Sequence, residues 1–164
     1  MVLLFLAVFG KIKVMFRTPI IVLLLCSTLL SSVKAQAAPP PAAFDVNRIL
    51  QALQQVETGG CRDPDRAVGD GGRAIGAFQI HRAYWQDATE FDNSIGGVYA
   101  DCKNTEYARK VVMAYMTRYC KVWTNESVAR IHNGGGNILK RQGTKAWTAT
   151  TVYWNKVQQQ LASL

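Results

Sequence analysis

The chain has 164 residues, with 19 Lys and Arg against 11 Asp and Glu, a formal net charge of +8, two histidines and four cysteines. That length holds one domain of ordinary size, or one domain plus a targeting segment. Two histidines without CxxC, HExxH or carboxylates at ligand spacing give no metal site, and no glycine loop precedes a helix as phosphate binding requires, so no cofactor is expected.

At the N-terminus, residues 1–10 and 19–30 are apolar runs split by Lys11, Lys13 and Arg17. Each is shorter than the roughly 20 residues a membrane-spanning helix needs. From Met15 onward the layout is that of a secretory signal: Arg17 in the basic part, IIVLLLCSTLL as the apolar part, then Val33-Lys34-Ala35 or Ala35-Gln36-Ala37 as a small-residue cleavage site. Residues 1–36 are therefore expected to be a signal peptide, with Met15 a candidate for the true start. A retained N-terminal anchor is the alternative. Leu25, which precedes Cys26, is too large for a lipoprotein signal. Residues 37–43 contain Pro39, Pro40 and Pro41 and read as an extended Pro/Ala linker, so the folded domain is expected over residues 44–164. Four of the basic residues lie upstream of Ala35, which leaves 15 against 11 acidic ones. A modestly basic exported protein suits an anionic glycan; the basic residues are scattered and match no nucleic-acid motif.

Within the domain the spacing is mostly helical. Asp45 is placed to cap a helix over Val46 to Glu57, whose Val46, Ile49, Leu50, Leu53 and Val56 recur at helical intervals until Gly59-Gly60. Residues 67–80 read as a hairpin, with Asp70-Gly71-Gly72 as its turn and Ala74 to Ile80 as its second strand. Short helical spacing follows over residues 81–91, and a strong helix over Thr105 to Lys121 with Val111, Val112, Tyr115, Met116 and Tyr119 on one stripe. Thr124 can cap a helix over Asn125 to His132 that Gly134-Gly135-Gly136 ends, and a last helix covers about Ala149 to Leu161 with Val152, Tyr153, Val157 and Leu161 inward. Helices around one short hairpin make an α+β, mainly helical fold.

Three cysteines follow the signal. A Cys102–Cys120 bridge would close a loop of about 17 residues and stabilise by roughly 3 kcal/mol in the chain-entropy model. Pairing of Cys61 with either is the alternative, and spacing does not choose.

The chemistry concentrates between Val56 and Asp87. Glu57 ends an apolar-periodic helix, where desolvation and the negative helix end both favour a protonated carboxyl. Asp70 stands in a polar glycine turn beside Arg73, where solvent and a cation keep it charged. Two carboxylates in unlike surroundings are what glycoside hydrolysis needs, one as acid and one as anion. Alone, each also reads as an ordinary helix-end or turn carboxylate. Tyr84 and Trp85 offer flat faces for sugar rings or for the core, and Gln79 an amide for an N-acetyl group or for the backbone. His132-Asn133-Gly134 as a local pattern is a helix C-cap.

The ordered motifs VETGGC, GDGGRAIGAFQIHRAYWQD, AYMTRYC, IHNGGG and YWNKV resemble those of invertebrate-type (destabilase-like) lysozymes over roughly Ile49 to Val157. The resemblance implies a lysozyme-like fold with the cleft beside the hairpin. It makes Glu57 the proton donor and Asp70 the second catalytic carboxylate. It also places sugar contacts on His81, Arg82, Ala83, Tyr84, Trp85, Gln86, Asp87, Tyr115, His132, Asn133 and Gly134. The implied activity is secreted cleavage of the β-1,4 link between N-acetylmuramic acid and N-acetylglucosamine in peptidoglycan, with chitin or a related aminosugar polymer as the alternative substrate. No sequence feature calls for an obligate oligomer, so a monomer is expected. A carboxyl separation near 5 Å would give retention, and about 6.5 to 9.5 Å inversion. The GDGGRAIG phrase also resembles lytic transglycosylases and goose-type lysozymes, which rely mainly on one glutamate. A non-catalytic glycan-binding protein on the same scaffold is the third reading.

Overall fold

The computed structural model describes residues 39–164, which fall within one compact unit, Val33–Leu164. The expected signal peptide lies outside the described residues, as does the start of the linker. Residues 39–45 contain no regular element beyond a turn, as the three prolines dictate.

Among the described residues five α-helices and three two-residue strands follow: α1 (Val46–Thr58), β1 (Val68–Gly69), β2 (Ala74–Ile75), β3 (Ile80–His81), α2 (Arg82–Phe91), α3 (Thr105–Tyr119), α4 (Asn125–Gly134) and α5 (Lys145–Ser163). Capping sets most helix starts. Asp45 accepts from the Arg48 amide at 2.9 Å, Asn104 from Tyr107 at 2.9 Å, and Thr124 from Ser127 at 3.0 Å. Helix α5 begins four residues before the expected Ala149, because Thr144 caps it by accepting from the Trp147 amide at 3.3 Å.

Helix α3 is the central column. Its Ala108, Val111, Val112 and Met116 are fully buried, with α2 on one side and α4 on another. Helices α1, α4 and α5 pack together through Ile49, Leu50, Leu53, Val128, Ile131 and Val157. Each such side chain contributes about 1.5–3 kcal/mol through burial. Two long-range polar contacts fix the helix register. Arg48 donates to the Leu161 carbonyl at 2.7 Å, tying α1 to α5. Arg130, 5 % exposed, donates to Glu126 at 2.8 Å and to Thr150 at 2.8 Å, tying α4 to α5, and stacks over Trp147.

Three expectations are corrected. The strand expected over Ala74 to Ile80 is two strands, β2 and β3, joined by a turn, so the hairpin is a three-stranded antiparallel sheet in the order β1-β2-β3. Gly76 makes that turn. Its φ is +75°, and a Cβ there would lie 2.0 Å from the Cys102 carbonyl, so only glycine fits. Phe78, inside the turn, is fully buried. Val152, expected inward, is 62 % exposed. The inner stripe of α5 is Thr150, Tyr153, Val157 and Leu161, and a residue next to Tyr153 is rotated about 100° away from it.

The third correction concerns Cys102 and Cys120. Both are buried free thiols, and no disulfide forms among the described residues. Cys102 precedes α3 and Cys120 follows it. The 15 residues of that helix hold the two ends about 22 Å apart, far beyond the reach of a disulfide. Burial pushes the two thiols up to about 12 and about 11, which makes them poor nucleophiles.

Candidate active site

Glu57 lies in the last turn of α1, one residue before Thr58, which donates to the Ala77 carbonyl at 3.0 Å across the β2–β3 turn. That bond locks the end of α1 against the sheet. The Glu57 side chain is 19 % exposed, and its Oε1 accepts from the Tyr153 hydroxyl of α5 at 2.7 Å. His132 of α4 brings Nε2 to 3.6 Å from the same oxygen.

The electrostatics favour a protonated acid. Burial raises the Glu57 pKa above its ordinary 4.5; the Tyr153 hydrogen bond opposes this, the Asp70 charge adds to it, and Lys156 opposes it more weakly. A positively charged imidazole at 3.6 Å would ionise Glu57, but His132 is uncharged at neutral pH. Its side chain is 4 % exposed, enclosed by the rings of Phe78, Tyr84 and Tyr153. Burial lowers its pKa to about 4, against a smaller raising effect from a hydrogen bond to the Phe78 backbone.

Asp70 belongs to a different environment. It stands at the β1–β2 turn with a left-handed φ of +50°, unusual for a residue other than glycine but within the repertoire of Asp. Its side chain is 58 % exposed, and its Oδ2 lies 2.9 Å from Nε2 of His81 on β3. Arg73 donates to its backbone carbonyl at 3.0 Å.

Glu57 and Asp70 open onto one cleft of about 300 Å³, lined also by Gly69, Ala74, Gln79, Ile80, His81, Tyr84, His132 and Asn133. Seven of the residues selected from sequence thus converge: Glu57, Asp70, Gln79, His81, Tyr84, His132 and Asn133. A second depression of about 360 Å³ continues over His81 and takes in Arg73, Arg82, Ala83 and Tyr99. The remaining selected residues are engaged elsewhere. Trp85 donates from Nε1 to the Tyr107 hydroxyl at 2.9 Å. Asp87 accepts from the Tyr119 hydroxyl and pairs with Arg118 at 2.8 Å. Gln86 is exposed on α2. Tyr115 stacks beneath Tyr84 at 3.6 Å between ring centroids, and its hydroxyl accepts from the Gly136 amide at 2.9 Å. Gly134 serves packing: a Cβ there would meet Thr150 at 2.7 Å and Ile138 at 2.6 Å.

One residue of the site was read from sequence only as core. Tyr153 sits on the inner stripe of α5, 96 positions from Glu57. The available signal was that a buried tyrosine hydroxyl needs a polar partner; its identity required the tertiary fold.

Comparison with known proteins supplies the family. The Destabilase family model matches residues 47–160. The chain belongs to the destabilase family. Its match to Lysozyme 1 of Crassostrea virginica is 36 % identical over 117 residues, covering 68 % of this chain and 57 % of that protein, so the chain spans little more than half of that relative. The invertebrate-type lysozyme of Ruditapes philippinarum is 30 % identical over 116 residues, covering 68 % of this chain and 78 % of that one. The crystal structure of Tapes japonica lysozyme superposes with a TM-score of 0.54 at 30 % identity, covering 68 % of this chain and 86 % of that one. The lysozyme-like, mainly helical α+β fold of this destabilase-family chain follows from that match together with its five helices and small sheet.

Proposed function

We propose that this destabilase-family protein is a lysozyme that hydrolyses the β-1,4 link between N-acetylmuramic acid and N-acetylglucosamine in peptidoglycan. The observation that carries the reading is the Glu57 carboxyl: four-fifths buried, bonded by Tyr153, beside an imidazole kept neutral, and facing an exposed carboxylate across a polar cleft.

The chemistry runs through that asymmetry. Glu57, whose pKa burial raises, delivers its proton to the glycosidic oxygen as the bond to the anomeric carbon breaks. The Tyr153 hydroxyl donates to Oε1 and stabilises the carboxylate left behind, so the donor is strong enough to give up its proton. Asp70, in water and beside His81, meets the oxocarbenium charge as nucleophile or as ion stabiliser. Gln79 and Asn133 supply amides at the cleft wall, suited to N-acetyl groups.

Hydrolysis of the wall substrate calls for export. The apolar segment and small-residue cleavage site within residues 1–36 support a secreted protein, and among the described residues no helix is long and apolar enough to cross a membrane. The test is digestion of purified peptidoglycan by residues 37–164 beside the Glu57→Gln variant, with products read by mass spectrometry. Reducing-end muropeptides from the wild type alone are the expected result. Anhydro products would assign a lytic transglycosylase, and no products from any wall would leave a glycan-binding protein.

A further inference from the structure

His81 was assigned above by resemblance as a sugar contact, but its geometry serves another group. It is the last residue of β3, paired with Ala74, and it occupies the N-cap position of α2. A side chain there ordinarily accepts from an amide of the first turn; that of His81 makes no such bond. It turns instead to Asp70, placing Nε2 2.9 Å from Oδ2. Asp70 has little else to fix it. It hangs from a left-handed turn residue, its carboxylate is more than half exposed, and the neighbouring Arg73 is spent on its backbone carbonyl.

We propose that His81 is a positioning residue for Asp70, its Nε2 holding the carboxylate at the mouth of the Glu57 cleft. The inference rests on the reading of Asp70 as the second catalytic carboxylate. An exposed pair of this kind adds little to stability, so its use lies in restricting the carboxylate rotamer. Reaction geometry is sensitive to displacements of that size. The strand pairing explains why the contact is dependable. β2 joins β1 to β3, so the turn bearing Asp70 and the end of β3 bearing His81 lie at the same end of a three-stranded sheet. The charged and titratable groups around the imidazole are Asp70 and Arg73 from the β1–β2 turn, Arg82 from α2 and Tyr99, with Glu57 and His132 on the far wall of the cleft. Both Arg82 and Tyr99 are occupied with each other, the guanidinium lying 4.6 Å over the ring. Among the described residues, Asp70 is the one anion in direct contact with His81.

The test is a double-mutant cycle on a soluble oligosaccharide of alternating N-acetylglucosamine and N-acetylmuramic acid, using wild type, His81→Ala, His81→Gln, Asp70→Asn and the His81→Ala/Asp70→Asn double variant. His81→Ala is expected to lower kcat about tenfold with KM unchanged. His81→Gln, which keeps an N–H donor at similar reach, should restore most of that loss. The double variant should match Asp70→Asn alone, because His81 has nothing left to hold. A raised KM in His81→Ala, or the same fold loss in the Asp70→Asn background, would mean direct sugar contact and overturn the proposal. Wild-type turnover in His81→Ala with an inactive Asp70→Asn would also overturn it, while leaving the role of Asp70 intact. Wild-type turnover in Asp70→Asn removes the catalytic reading of Asp70 and the positioning role with it.

Discussion

The two carboxylates of the cleft are held by opposite means. Glu57 is fixed by three helices: α1 carries it, α5 brings Tyr153 and α4 brings His132, and the whole cluster is nearly closed to water. Asp70 is fixed by the turn between two two-residue strands and by one imidazole, in solvent. The contrast is between a carboxyl whose pKa burial raises and one left in solvent at the other end of the same cleft. Desolvation, the largest influence on Glu57, acts only where the scaffold excludes water. Asp70 stands where the sheet leaves its carboxylate exposed to solvent.

The strongest way to break the comparison is to remove the acid. Glu57→Gln should cost between about 10² and 10⁴ in kcat, the range of a positioned general acid. The same variant should be more stable than wild type at neutral pH. A raised folded pKa favours the protonated form, so the stability Glu57 contributes is complete below 4.5 and is lost as pH rises through the folded value. Gln is neutral throughout and can still accept from Tyr153. Thermal melts of both proteins at pH 4 and pH 8 check the sign: the advantage of Gln should appear only at the higher pH.

Asp70→Asn should cost about 10² in kcat through lost electrostatic stabilisation. Because the side chain is exposed, the melting temperature should change little. A large stability change would remove the contrast between the two ends of the cleft.

His132 sharpens the buried end. Its pKa is about 6.5 unfolded and about 4 folded, so the unfolded state binds more protons in between. Stability should therefore fall by about 3 kcal/mol as pH drops from 6.5 to 4. Chemical denaturation across that range measures it, and His132→Gln should flatten the slope.

Tyr153→Phe is a smaller perturbation of the same end. Losing one hydrogen bond costs about 1 kcal/mol of stability. It also removes the interaction that lowers the Glu57 pKa, so the alkaline limb of the activity profile should move upward. A downward shift would contradict the assigned proton direction. Smallest of all is the effect of thiol chemistry on the native protein: Cys61, exposed, should react with a thiol reagent at once, and Cys102 and Cys120 only on unfolding.

Local chemistry explains what could be read early. The caps Asp45 and Thr124, the stripe on α3 and the glycines that stop α1 and α4 act within a few residues, so the helices and the position of Glu57 at a helix end were legible. The ordered motifs brought Asp70, His132 and Asn133 into the same argument. The break at Gly76 was not legible, because the need for glycine there comes from the carbonyl of Cys102, 26 residues on. The proposed Cys102–Cys120 bridge failed for a related reason: sequence separation counts residues, and a helix converts them into length.

By itself, then, the sequence determined the helical periods, their caps and the family, and pointed to the two carboxylates that line one cleft, because each rests on neighbours in the chain or on motif order. Tertiary structure alone decided that Tyr153 meets Glu57, that His132 is buried neutral, that Asp70 meets His81, and that Trp85 and Asp87 serve packing and local ion pairing. Those are outcomes of desolvation and contact between distant segments, and both quantities exist only once the helices have closed around the cleft.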